Sequence, residues 1–595
     1  MGAHISAQTS SPPIGGAVDV RVAWISAGAI MVAAVAAGAA QLLTYLIAAV
    51  TNLAFHGRLS IAEATPWDHT LGAGLLLVPV AGALVVGVMA RWGSPAIRGH
   101  GIPEAMEQIL FNQSRIPARM VILKPLSAAI AIGTGGPFGA EGPIIATGGA
   151  LGSLAGQLVP VTADERKILL AAGAAAGMSA TFGSPVAAVL LAIELLLFEY
   201  RVRSLVPVAL AAVTAASARI ILVGDAPAFA IADLAHPPGG AMLAYAVVGA
   251  LAGVAAVLAT RLVYAIEDGF ARLPLHWMWW PALGALAVGA AGLVEPRVLG
   301  VGYRNITDLL DGRLALAAVG ALAALKLVAW SIALGSGTSG GTLAPLFTIG
   351  AAVGALLGAA GAAALPGAGI DPRVAALVGM AAIFAGASRA LLASVVFAFE
   401  TTRQPLGLLP ILAGCAASYL VANLLMRHSI MTEKIARRGR RAPTEYVADH
   451  LAQVLIEDGA RPVVTLAADD TVAATRDALA DAGVRHHGYP VVDRDGALVG
   501  VVTRHDLAAG APEARVRALV TRPPVVVFPG ASLRDVADLM VRAGVGRIPI
   551  VAPGAPPRLL GIVTRSDLLA AHAPRLDAEN RVDPGSLELR PRLLP

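Results

Sequence analysis

One cysteine, Cys415, in 595 residues excludes an intrachain disulfide framework and a cysteine metal cluster, and its apolar setting marks it as a small core residue. Charge is scarce as well: 14% of residues are charged and 5% aromatic, against 56% hydrophobic. With a mean hydropathy of +0.72 the chain is too apolar for a soluble protein of its length and reads as a polytopic membrane protein. No H-E-x-x-H occurs, which removes an intramembrane zinc protease, and the chain is read as a non-enzyme. Acidic residues in the apolar part are few and far apart, whereas a divalent-cation transporter needs clustered carboxylates. The N-terminus lacks the basic flank, short apolar core and cleavage site of a signal peptide, so residues 1–19 are expected to stay as a cytoplasmic segment.

What the chain does have is a copy of itself. GTGGPFGAEGPIIATGGALGSLAG (133–156) lies over GSGTSGGTLAPLFTIGAAVGALLG (335–358) at an offset of 202, without a gap. The same offset pairs GMSATF at Gly177 with GMAAIF at Gly379, after which AIE ending at Glu194 answers AFE ending at Glu400. Duplicated halves with Gly- and Pro-broken helices usually converge on a binding site at the membrane midplane. Residues 20–55 would make a helix of about 50 Å, too long for a roughly 30 Å hydrocarbon core without tilting or projecting. Other candidate spans, such as 120–132 and 390–400, are too short to cross alone. The net charge is +5, and Arg427, Lys434, Arg437, Arg438, Arg440 and Arg441 follow the last span, which puts that end in the cytoplasm by the positive-inside rule.

After about residue 445 the pattern changes to alternating strands and polar helices. GVRHHGYPVVDRDGALVGVVTRHDL (483–507) parallels GVGRIPIVAPGAPPRLLGIVTRSDL (544–568), with the closing motifs 61 residues apart. This resembles a tandem pair of CBS domains, here 461–512 and 513–575, after a linker at 441–460 and before a polar tail at 576–595. A Thr-x-x-Asp at a helix start is explained by capping alone. The resemblance implies instead that Thr503, Asp506, Thr564 and Asp567 contact the ribose and phosphate of an adenine nucleotide, and the residues leave both readings open.

Three segments of the apolar region share one design, glycines and a proline opening an apolar helix: GHGIPEA at Gly99, GAEGP at Gly139 and GTLAP at Gly341. Glycine admits close approach of the backbone, proline suits the first helical turn, and the unpaired N–H groups with the positive dipole end favour an anion. The competing explanation is that small residues let helices pack closely. Three such motifs, two of them related by the repeat, favour the anion reading.

These motifs resemble those of the CLC family of chloride channels and chloride/proton exchangers, GSGIP, GREGP and GxFxP in that order, over residues 20–440. The resemblance implies an all-helical membrane domain of two inverted repeats followed by a cytoplasmic α/β CBS pair, a homodimer with one pore per subunit, in the cell membrane. It implies Glu141 as a gate whose carboxylate takes the place of an anion, and chloride ligands at His100, Gly101, Gly139, Ala140, Gly142, Thr342, Leu343, Ala344 and Met431. Glu194 and Glu400 are read as structural carboxylates near helix ends, with Lys326 a candidate counter-charge. Several positions depart from the pattern. His100 replaces the serine of GSGIP and Met431 the tyrosine near the last span, so two hydroxyl donors are missing. Ala140 removes the arginine of GREGP, and Leu343 replaces the phenylalanine of GxFxP. Leu195 stands where exchangers commonly carry an inner proton glutamate, and leucine cannot relay a proton. The expectation is therefore a chloride channel, gated by voltage or by the anion and modulated by the CBS pair; the alternative is a chloride/proton antiporter.

Overall fold

The computed structural model describes residues 20–443, 450–456, 463–483, 486–554 and 557–580. The 1–19 segment, the tail beyond 580 and part of the 441–460 linker lie outside them. The chain divides into two compact units, with the boundary in sequence between Ala442 and Pro443.

Alanine-, leucine- and glycine-rich runs with little internal charge form helices, and the helices recur in order. The first half contains α1 (Val20–His56), α2 (Leu77–Val88), α3 (Ile102–Phe111), α4 (Met120–Gly133), α5 (Glu141–Leu158), α6 (Ala163–Phe182), α7 (Pro185–Leu191) and α8 (Val202–Val223). The second contains α9 (Ala241–Ala271), α10 (Trp280–Val294), α11 (Tyr303–Leu310), α12 (Leu316–Gly335), α13 (Leu343–Ala364), α14 (Pro372–Ser388), α15 (Leu391–Thr402) and α16 (Leu408–Leu425), and the short α17 (Glu433–Arg437) follows. Each helix of the first half thus has its counterpart eight helices later. Among the described residues, eight helical stretches are long and apolar enough to cross a membrane, and shorter ones such as α4, α14 and α15 are not. α7 runs on into a π-helical segment, Ala192–Leu197, which carries Glu194 and Leu195.

The two halves meet in reciprocal contacts. The Gly139 N–H donates to the Gly341 carbonyl (3.3 Å) and the Gly341 N–H to the Gly139 carbonyl (2.9 Å), an antiparallel bridge. Equivalent residues that exchange bonds in this way lie about a two-fold axis, which is the inverted repeat. The α5–α6 crossing is made possible by glycine: a Cβ on Gly148 would sit 2.1 Å from the Gly173 carbonyl oxygen, and one on Gly173 the same distance from that of Gly148. The second half repeats this where α13 crosses α14, at Gly350 and Gly379. Close packing and anion-directed helix starts are therefore both present, at different glycines of the same segment.

In the second unit β1 (Leu466–Ala467) pairs parallel with β2 (Gly488–Val492), which pairs antiparallel with β3 (Leu498–Thr503). β4 (Arg547–Val551) and β5 (Leu559–Thr564) repeat that hairpin in the same register, Ile550 opposite Gly561 as Val491 is opposite Gly500. Two small apolar cores follow the repeat, one around Val491 and Val502, the other around Ile548 and Val563.

Gly148→Ala drives a methyl into backbone and is expected to abolish monodisperse protein in gel filtration, because neither helix can retreat without losing its packing. Gly38→Ala, with nothing within 4 Å of the added atom, is expected to leave the profile unchanged.

Candidate functional site

Lysine and glycine shape the loops that carry the site. Lys124 of α4 is buried and donates to the carbonyls of Ile97 and Gly99 (both 2.8 Å). Lys326, 202 residues on, is buried in α12 and donates to those of Val298 (2.8 Å) and Gly300 (3.1 Å). Each ammonium in an apolar bundle is thus matched to backbone carbonyls, and each pins a Gly-x-Gly loop at positive φ, Gly99 and Gly101 in one half, Gly300 and Gly302 in the other. The loop GVGY at 300–303 is accordingly the counterpart of GHGI at 99–102. It lacks the proline that marks its mate, so the pattern of glycines and prolines overlooks it.

Glu141, the first residue of α5, is 0% exposed. Its side chain folds back over Gly139 and reaches Gly341: an added Cβ would sit 1.6 Å from Oε2 at Gly139 and 2.9 Å at Gly341. The Tyr303 hydroxyl, at the start of α11, donates to Oε1 (3.0 Å), and the Ala344 N–H in the first turn of α13 and the Lys326 ammonium also face the carboxylate. Oε2 has no hydrogen-bond partner among the described residues. Glycine 142 brings in the third motif, since a Cβ there would lie 2.0 Å from the His100 carbonyl oxygen and 3.0 Å from Gly341 Cα. Ala140, Thr342, Leu343 and Ala344 are all buried around this point.

His100 is 6% exposed, with Nδ1 lacking a hydrogen-bond partner among the described residues. It lines a cavity of about 450 Å³ together with Arg98, Glu104, Tyr264, Ile430 and Lys434. Met431, fully buried, follows Ile430, whose carbonyl accepts from the Tyr264 hydroxyl (2.8 Å). The Gly101 N–H is already taken by Glu104 Oε2 (2.8 Å), and Lys434 pairs with Oε1 of the same carboxylate (2.7 Å). A second cavity, about 270 Å³, is lined by Ala140, Thr181 and Tyr303 with Tyr45, Trp67 and Arg304.

Glu194 and Glu400 cap each other's halves. Leu392 and Ala393 N–H at the start of α15 donate to Glu194 (both 3.0 Å), and Val186 and Ala187 N–H at the start of α7 donate to Glu400 (3.1 and 2.8 Å). Lys326 pairs with neither, because its ammonium is bound to the Val298 and Gly300 carbonyls. Leu195 is 3% exposed in the apolar core.

In the second unit, Thr503 and Asp506 form a capping box: the Thr503 N–H and hydroxyl donate to Asp506 Oδ2 (2.8 and 2.6 Å), and the Asp506 N–H donates back (3.1 Å). The Thr503 hydroxyl, first among the causes, holds the Asp506 carboxyl below its usual range. Thr564 and Asp567 repeat the box. Between the two motifs, a Cβ on Gly488 would strike the Arg547 guanidinium, which therefore lies against the first hairpin.

Residues 81–423 match the family described as voltage gated chloride channel. The chain belongs to this family. Residues 457–512 and 516–573 each match the CBS domain. A putative chloride channel protein ClcB-like of Ralstonia nicotianae is 31% identical over 385 residues, 64% of this chain and 89% of that protein. Chloride channel protein CLC-f of Arabidopsis thaliana is 31% identical over 377 residues, 59% of this chain and 47% of its own length. An H(+)/Cl(-) exchange transporter ClcA of Vibrio campbellii is 28% identical over 391 residues, covering 63% and 83%. The CLC fold is shared with a solved eukaryotic CLC transporter at a TM-score of 0.60 and 22% identity, over 92% of this chain and 98% of that one. The membrane domain of this CLC protein thus carries its inverted repeats and broken helices as expected, and the chain is an integral multi-pass membrane protein.

Glu400→Ala leaves the buried Ala187 N–H without an acceptor, at a cost of about 1–3 kcal/mol. A fall of several degrees in Tm is expected, whereas Glu400→Gln, which keeps a carbonyl acceptor, should lose about half as much.

Proposed function

We propose that this CLC protein is a chloride channel whose gate is Glu141. The observation that carries the reading is the place of the carboxylate: buried where α5 and α13 both begin, against Gly139 and Gly341, in a position that N–H groups and two helix dipoles make favourable for a small anion. Gly139, Ala140, Gly142, Thr342, Leu343 and Ala344 then supply the backbone of the anion site, His100 flanks it from the 450 Å³ cavity, and Met431 is buried next to Ile430 of that cavity's wall. Gly101, whose N–H is held by Glu104, contributes close backbone approach to Gly142 and no donor. Neutral or displaced, Glu141 lets the anion pass.

Leu195 supports a channel, since a leucine sealed in the core gives a proton no station there. The second reading, a chloride/proton antiporter of the same family, is favoured by relatives that carry the exchanger name. We further propose that the protein sits as a homodimer in the cell membrane, with the 20–440 membrane domain followed by CBS domains at 461–512 and 513–575 in the cytoplasm. There the two Thr-Asp boxes would hold an adenine nucleotide with the carboxylate lone pairs that capping leaves free.

Purified protein in chloride-loaded liposomes, with a pH electrode outside, separates the readings. Chloride efflux without stoichiometric proton uptake is expected; uptake locked to efflux, even against a proton gradient, would mean an antiporter. Glu141→Gln should keep flux as high as the parent or higher, while loss of flux in a folded Glu141→Gln protein would make the carboxylate merely structural.

A further inference from the structure

We infer that Tyr303 is the side-chain hydroxyl ligand of the transported anion: its O–H holds the Glu141 carboxylate when the gate is shut and donates to a halide or nitrate when the carboxylate has left. The inference rests on the reading of Glu141 as the gate and adds to it a residue on α11, outside the three glycine–proline motifs.

The donor is fixed by its ring and its loop, and the acceptor sits at the end of a flexible side chain. Tyr303 is held by its ring, edge-on to Phe182 (5.6 Å, 74°) and to Phe229 (6.0 Å, 63°), while Phe182 stacks edge-on against Phe397 (5.0 Å). Its loop is pinned through the Gly300 carbonyl by Lys326 (3.1 Å) and through the Gly300 N–H by the Gly135 carbonyl (3.1 Å). Glu141, by contrast, reaches Oε1 through three side-chain torsions and leaves Oε2 without a partner among the described residues. A phenol carries one proton and serves one acceptor at a time. When the carboxylate withdraws, Tyr303 stays where it is, one of the residues lining the 270 Å³ cavity with Ala140 and Thr181. An anion arriving beside the N–H groups of α5 and α13 is then its acceptor.

The chemistry of the rest of the site points the same way. His100 and Met431 offer no hydroxyl, and among the described residues Tyr303 is the hydroxyl bound to the gate. The residue has no equivalent in the other half, where Ile102 occupies the matching place in GHGI. The groups facing Glu141 are the Lys326 ammonium from α12, Tyr303 from α11 and the backbone N–H groups of α5 and α13. Of these, Tyr303 can be altered without disturbing charge or backbone.

Tyr303→Phe keeps the ring contacts and removes the donor. Chloride binding is measured by calorimetry at one pH on Glu141→Ala and on Glu141→Ala/Tyr303→Phe, so that no carboxylate competes. About tenfold weaker chloride binding is expected in the double variant, the effect of losing one hydrogen bond to a charged group. In liposomes, Tyr303→Phe alone should move the pH midpoint of chloride efflux upward by about one unit. A donor to the ionised carboxylate favours ionisation, so without it the gate is neutralised at higher pH. Equal chloride affinity in the two alanine-background proteins, or an unmoved midpoint, overturns the inference. Loss of flux in folded Glu141→Gln is a separate result, which removes the gate reading and this inference with it.

Discussion

Two backbone amides, those of Gly139 and Gly341, exchange hydrogen bonds at the axis between the repeats, and the surroundings of Glu141 follow from that exchange. It sets the start of α5 beside the start of α13, so that two positive dipole ends and their free N–H groups converge inside an apolar bundle. Such a convergence is costly unless something negative or hydrogen-bonding occupies it. A Cβ on Gly341 would meet the Gly139 carbonyl oxygen at 2.5 Å, and one on Gly139 would take the place of the Glu141 carboxylate, 1.6 Å away. The chain thus supplies its own anion to the site, and in the proposed reading that carboxylate and chloride compete for one place.

The repeat explains the scaffold, and its breaches mark the chemistry. Lys124 and Lys326 hold equivalent loops by equivalent carbonyls, and Glu194 and Glu400 cap equivalent helices across the axis. Where the halves differ, one side is polar: Glu141 stands opposite Leu343, and Tyr303 opposite Ile102. A symmetric bundle would offer the same environment to both faces of the membrane. In the proposed reading, placing the carboxylate and the phenol together, with no counterparts across the axis, makes the two ends of the anion path unlike.

Much of this was legible in the sequence because duplication leaves a record at fixed offset. The 202-residue match located both central helix starts, and an intramembrane glutamate between glycines singled out Glu141 before any coordinates. The acidic ends at Glu194 and Glu400 were legible as structural, but their partners were not, since each binds N–H groups some 200 residues away and no local pattern encodes that choice. Lys326, a candidate counter-charge for Glu194 and Glu400, is bound to the Val298 and Gly300 carbonyls, and the carboxylate it faces is that of Glu141. Tyr303 was missed because GVGY carries no proline and its glycines sit 201, not 202, residues after GHGI. The signal that would have found it is the pair of buried lysines, each preceded by a Gly-x-Gly loop. In the CBS pair the two Thr-Asp boxes were legible as caps, and their hydrogen bonds have that form.

The central claim is that the Glu141 carboxylate occupies an anion site. Anomalous diffraction from crystals of Glu141→Gln grown in bromide tests it most directly. The account predicts a bromide peak between the first turns of α5 and α13, within hydrogen-bond reach of their N–H groups. A well-ordered Glu141→Gln structure with those helix starts intact and no bromide between them would contradict it.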